Sequence, residues 1–274
     1  MMNKAIRNLK FLGVLLCFPA LAQAQQPQFS YADVADLAAD APVVIDVIVR
    51  KDIVLSNAAN PAVPANMRRH YIEAQVQQLI RGNSAVPPLI RFLVDLPADA
   101  RGRSAKLKKK AFLVMARTVA GRENEIQLVR PDAMLSRDAT TEQLVRKIVL
   151  EAVDKNAPPA ITGIASAFHV AGNIQGESES QFFLNTKSGQ PISITVLRRP
   201  GLEREWGASL GEIVDAAALR PARDSLLWYR LACGVMPERL PPTVMAEAAQ
   251  GDRAAAASDY AFVRASLGSC ARTR

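Results

Sequence analysis

The chain has 274 residues, with 34 Lys and Arg against 26 Asp and Glu, 49% hydrophobic residues and three cysteines. That is enough for one large or two small cores, and the net charge of +8, of which three positive charges lie in the first ten residues, leaves an excess too mild to mark a nucleic-acid binder. Beyond the first two dozen residues no apolar run reaches the 18 or more that a membrane helix needs.

Lys4, Arg7 and Lys10 precede the apolar run Phe11 to Phe18, Pro19 breaks it, and Ala22-Gln23-Ala24 supplies small residues at −3 and −1. This is the pattern of a secretory signal peptide cut after Ala24, which places the mature protein in the periplasm or outside the cell. Cys17 could instead be a lipoprotein cysteine, but Leu16 stands where that processing wants a small residue. Removing the signal leaves 31 basic against 26 acidic side chains. It also leaves two cysteines, Cys233 and Cys270, which in an oxidising compartment read as a disulfide. Closing their loop of about 38 residues is worth ~4 kcal/mol of loop entropy.

Ser30 is a good N-cap for a short helix over 31–39. After Pro42, Val43, Ile45, Val47 and Val49 share one face of a strand, while Asp46 and Arg50 share the other, expected to be wet. Residues 56–65 read as a loop. Further strands are expected near 69–79, with Ile72, Ala74 and Val76 inward, and 89–96, with Ile90, Phe92 and Val94 inward. Residues 97–109 are a basic loop, 111–117 a central strand and 125–129 a fifth strand. One helix and five closely spaced strands suggest a small barrel. The order of long strand, Arg81-Gly82 turn, strand, basic loop and Lys110-Ala111-Phe112-Leu113-Val114 strand resembles the OB-type barrel of exported netrin-like and metalloproteinase-inhibitor-like modules. In animal inhibitors of that type an N-terminal cysteine enters the target's metal site. No cysteine lies in this barrel, so the resemblance does not bring that activity.

Thr140 and Gln143 form a capping box for a helix with Leu144, Val145, Ile148, Val149 and Ala152 on one stripe, ended by Pro158-Pro159. A four-stranded meander follows, over 161–170, 177–186, 191–198 and 204–214. The rest is helical. Pro221 and Gly234 bracket a first helix, Pro241-Pro242 opens a second that ends at Gly251, and Asp252 caps a third, Arg253 to Leu267. The fold class is α+β: an N-terminal five-stranded OB-like barrel, then an antiparallel β-meander with a C-terminal helical cap. The expected units are a signal peptide (1–24), a barrel domain with its N-terminal helix (25–139), a connecting helix (140–159) and a meander with a disulfide-tied helical domain (160–274). Taken whole, the chain resembles uncharacterised exported proteins of Gram-negative bacteria, which implies no activity.

Four constellations could carry chemistry. Gly207-Ala208-Ser209-Leu210-Gly211 matches G-x-S-x-G, but an α/β-hydrolase needs a histidine after the serine, and His70 and His169 both precede it. Lys187-Ser188-Gly189 has the form of a K-S-G element without its S-x-x-K partner, and a hairpin turn explains it. Gly163 and His169 sit at the spacing that opens a cupin metal motif, and Glu177 and Glu179 could approach His169 across a hairpin to hold a divalent metal. The bland reading is a half-buried strand histidine and a wet face of glutamates. Arg101, Arg103, Lys106, Lys108, Lys109 and Lys110 put six positive charges in ten residues with no acid or aromatic between them. The missing aromatics argue against a stacking platform for single-stranded nucleic acid. Anionic lipid headgroups or acidic glycans remain as partners, against a plain solvated loop that guards the strand behind it.

These residues favour an exported, non-catalytic, envelope-associated binding or interaction protein. The alternative is an enzyme, metal-dependent at His169, Glu177 and Glu179 or a serine hydrolase at Ser209; a purely structural envelope component is a third reading. No cofactor and no nucleic acid is expected. An anionic envelope surface or another envelope protein is the expected partner, and the oligomeric state stays open.

Overall fold

The computed structural model describes residues 28–56, 61–83, 85–211 and 219–274. The expected signal peptide, Cys17 included, lies outside them, as does the far end of the strand expected over 204–214. Ser30 caps α1 (Tyr31–Ala38) through a reciprocal pair of bonds: its hydroxyl accepts the Asp33 N–H, and the Asp33 carboxylate accepts the Ser30 N–H. The helix buries Val34, Leu37 and Ala38.

Strand β1 (Val43–Val54) is paired on both edges, by β2 (Met67–Arg81) and β4 (Ala111–Val119). Its alternation holds through Val49, but Val44 and Asp46 are buried as well, and Arg137 pairs with the Asp46 carboxylate. The expected wet face therefore starts only at Arg50. Three register irregularities between β1 and β2 bend the pair, as closure requires. With β3 (Leu89–Pro97) and β5 (Arg122–Leu128) the order β1-β2-β3-β5-β4 returns to β1 and closes a five-stranded barrel of OB type. The closing β3–β5 contact is parallel and rests on one pair, Arg91 opposite Glu125. Inward Ile72, Ala74, Ile90, Phe92 and Val94 fill the barrel as expected. A short β6 (Met134–Ser136) also pairs with β4; three residues are too few to show a period in sequence.

Helix α2 (Ala139–Val153) is capped by Asp138, whose carboxylate accepts the Thr141 N–H and hydroxyl, not by the Thr140–Gln143 box expected from sequence. Its Val145, Ile148 and Val149 are buried. The meander β7 (Ile161–Ala171), β8 (Ser178–Thr186), β9 (Ile192–Arg198) and β10 (Glu205–Ser209) forms a four-stranded antiparallel sheet in sequential order. Phe182, Leu184, Ile192, Ile194 and Val196 make its buried face, with the ring of Tyr260 5.5 Å from that of Phe182.

The tail contains α3 (Leu226–Ala232), a 3-10 turn at Pro242–Met245 and α4 (Gln250–Leu267). Ser225, not a proline at 221, caps α3. Gly234 follows it because a Cβ there would strike the Arg230 carbonyl oxygen. Gly251 and Asp252 lie inside the first turn of α4, whose N-cap is Ala249. Cys233 and Cys270 stand at disulfide distance, Cα atoms 5.3 Å apart, within the range such a bond requires. Beyond Cys270 the chain returns to the barrel side, where Arg272 pairs with Asp36, Thr273 with Asp33 and Arg274 with Asp132. One apolar cluster runs from the barrel through α1 and α2 to the meander and tail. No helix among the described residues is long and apolar enough to cross a membrane.

Candidate functional site

The outward residues of β2 and β3 form a mirrored set. Register sets Arg69 opposite Asp95, Tyr71 opposite Leu93 and Glu73 opposite Arg91, so opposite charges face each other at both ends of an apolar pair. Arg69 grips Asp95 with two bonds of 2.7 Å, and that carboxylate raises the guanidinium's pKa. Arg91 reaches Glu73 at 3.3 Å. Across the thin β3–β5 contact, Arg122 pairs with Glu125 at 2.9 Å and Arg117 donates to Gln127 at 3.1 Å.

Between these strands lies a groove of about 570 Å³. Tyr71, Leu93, Val119 and Val129 give it an apolar floor, and Arg69, Arg91, Arg117, Arg122 and Arg130 surround it. Two carboxylates, Asp95 and Glu125, oppose five guanidiniums. Arg130 is exposed and carries no side-chain bond among the described residues. Such a groove offers planar bidentate donors for carboxylate or phosphate beside apolar surface for a ring or carbon skeleton. None of its residues stood out in the sequence. The signal was the matching R-x-Y-x-E and R-x-L-x-D runs at 69–73 and 91–95, which acquire meaning only once they are paired.

The basic loop leaves β3 just past Asp95. All six of its cations are exposed, but the run is not free of counter-charge as its sequence suggests. Asp99 accepts the backbone N–H groups of Arg101 and Arg103 and pairs with the Arg103 guanidinium at 2.8 Å. Leu107 is buried and its N–H donates to Asp52, whose other oxygen lies 2.6 Å from His70 Nδ1. The loop is thus pinned at both ends while Lys106, Lys108, Lys109 and Lys110 project outward.

The three metal candidates do not converge. His169 sits opposite Ser180, whereas Glu179 sits opposite Val170; alternation then sends Glu179 to the other face of the hairpin from His169. Glu179 accepts from Gln181 instead, and Glu177 lies in the turn against Gly172. Among the described residues no three His, Cys, Asp or Glu side chains gather to hold a metal. What His169 does meet is Ser180, 2.9 Å from Nδ1, which donates its proton to the buried Asp259. Arg198 bonds the other Asp259 oxygen at 2.8 Å. Because the serine's one proton is committed to Asp259, Nδ1 of His169 carries the hydrogen in that contact. This chain is a structural tie between the meander and α4. It has the serine, not the histidine, in the middle, so it is not a nucleophilic triad.

Ser209 ends β10 and lies opposite Ser193 within the antiparallel sheet, not on the strand-to-helix turn that exposes a hydrolase serine. The Lys187-Ser188-Gly189 turn joins β8 to β9, with Gly189 at φ 81°. Trp206 and Trp228 are both buried.

No protein family matches the chain, and no curated protein matches it.

Proposed function

We propose that this is an exported, non-catalytic binding protein of the bacterial envelope, and that the arginine-rimmed groove on the outer barrel face receives an anionic glycan or a similarly charged envelope component. The observation that carries this reading is five guanidiniums around an apolar floor at the one-pair β3–β5 contact. OB-type barrels commonly use the outer surface near strands 2 and 3 for elongated ligands. The basic loop adds the exposed lysines Lys106, Lys108, Lys109 and Lys110 next to the same strand end, extending the attraction without shaping the site.

Heparin resin at low salt is the test, with two variants. Arg117 and Arg130 are exposed and form no ion pair among the described residues, so Arg117→Gln with Arg130→Gln is expected to leave folding unchanged. This pair is expected to cut affinity by roughly tenfold and to flatten its salt dependence. Replacing Lys108, Lys109 and Lys110 by Gln is expected to lower retention less at equal charge loss per residue. Elution of the arginine pair together with the parent, while the lysine variant elutes early, would make the loop the binding element and end the groove reading.

A further inference from the structure

Among the described residues, β7 is the longest strand with an edge that no other strand pairs. The barrel returns on itself, and β10 is bridged on its outer side by Leu219. Strand β7 pairs with β8 alone, and among the described residues no main-chain hydrogen bond joins 162–171 to anything else. Exposed edges are normally blunted by charge or proline. The eleven residues of β7 hold no Lys, Arg, Asp, Glu or Pro. Its two register irregularities fall before Ser166, so 166–171 is a regular strand. Phe168 and Val170 stand on its open face, 55% and 65% exposed. Residues 243–248 approach β7 at Ala167, Phe168 and His169 across a cleft of about 460 Å³.

The pattern of bonds fixes what this edge can accept. Gly172 N–H donates to the Glu177 carbonyl at 2.8 Å, which makes that couple a hydrogen-bonded pair. Alternation then commits the main chains of Phe168 and Val170 to β8 and turns those of Ala167, His169 and Ala171 outward.

We propose that the mature protein forms a two-fold dimer by antiparallel pairing of β7 with β7 of a second copy, centred on His169. In that register His169 exchanges main-chain bonds with its own counterpart, and Ala167 does so with Ala171 of the copy. Phe168 then meets Val170 of the copy at the close, non-hydrogen-bonded positions, twice by symmetry. An aromatic side chain against a β-branched one is a favourable cross-strand couple. The two meanders become one eight-stranded sheet, an isologous contact that closes on itself. A second copy fits better than a foreign strand because β7 supplies both halves of the match: uncharged, free of proline, with apolar side chains at the spacing its own edge presents.

Sedimentation of the mature chain at about 100 µM is expected to give twice the monomer mass. Phe168→Lys with Val170→Lys, at exposed positions, is expected to halve that mass with the far-ultraviolet circular dichroism unchanged. Phe168→Cys with Val170→Cys in one chain is expected to cross-link two copies under mild oxidation, while either cysteine alone does not. A parent that sediments as a monomer, or a lysine variant that stays dimeric, would overturn the interface. Single-cysteine variants that cross-link as well as the double one would overturn the register.

Discussion

At the scale of single residues, Asp33 links both ends of the described chain. It caps α1 and also accepts the backbone N–H and hydroxyl of Thr273. Burial works against its charge, but the Thr273 and Ser30 donors outweigh that and bring its pKa down from 3.8 to about 2. A carboxylate depressed on folding contributes stability that is present above its unfolded pKa and lost as pH falls through its folded one. The window is therefore about pH 4 down to about pH 2, and the contribution at neutral pH is about 2 kcal/mol. Asp33→Asn is expected to unfold more easily in urea at pH 7, with the difference from the parent shrinking below pH 4. A difference that stays constant down to pH 2 would show that the loss comes from packing rather than from the charge.

At the scale of elements, the two long helices are capped unequally. Asp138 holds α2 with two bonds to Thr141, whereas Ala249 offers α4 no side-chain acceptor. Asp138→Ala is expected to cost about 1 kcal/mol and Ala249→Asp to add a similar amount. Thermal melts would show the two shifts in opposite directions; a neutral Ala249→Asp would mean that the first turn of α4 is already satisfied. The same elements show what sequence can carry. Period-two runs such as Ile90, Phe92 and Val94 are local and mark most of the strands, while the strand at 111–117 shows instead as a run apolar on both faces, as a strand paired on both edges inside a barrel is. The helix caps were harder, because Asp138, Thr140 and Ser225 all have the chemistry of a cap and only backbone geometry chooses among them. Asp46 was misplaced because its cover, Arg137, lies 91 residues away. The groove was invisible for the same reason: Arg69 and Asp95 are 26 residues apart, and neither is unusual alone. The metal candidates failed through a parity that a sequence shows only after the hairpin register is known.

At the scale of the whole molecule, the two sheets share one apolar cluster through the helices, and several polar links between them gather around α1. Tyr229 of α3 donates to Asp36, Arg230 pairs with Asp40 at 2.7 Å, and the chain end returns to Asp36, Asp33 and Asp132. The Cys233–Cys270 pair holds that end close to α3, so it acts on the coupling between barrel and meander as well as on the tail. If the coupling runs through the chain end, removing residues 272–274 should loosen one sheet from the other while leaving each core intact. The parent is expected to melt in one cooperative transition, as a continuous apolar cluster implies. The truncated chain is expected to melt earlier and more broadly, with the tryptophan signal, which reports the meander and tail, separating from the far-ultraviolet signal of the whole. Cys233→Ser with Cys270→Ser is expected to cost about 2–4 kcal/mol, through the lost loop constraint. Combined with the truncation, it should cost less than the two separate losses together, because both act on the same segment. Fully additive losses, with coincident transitions in every variant, would mean that the sheets are coupled through α1 and α2 alone.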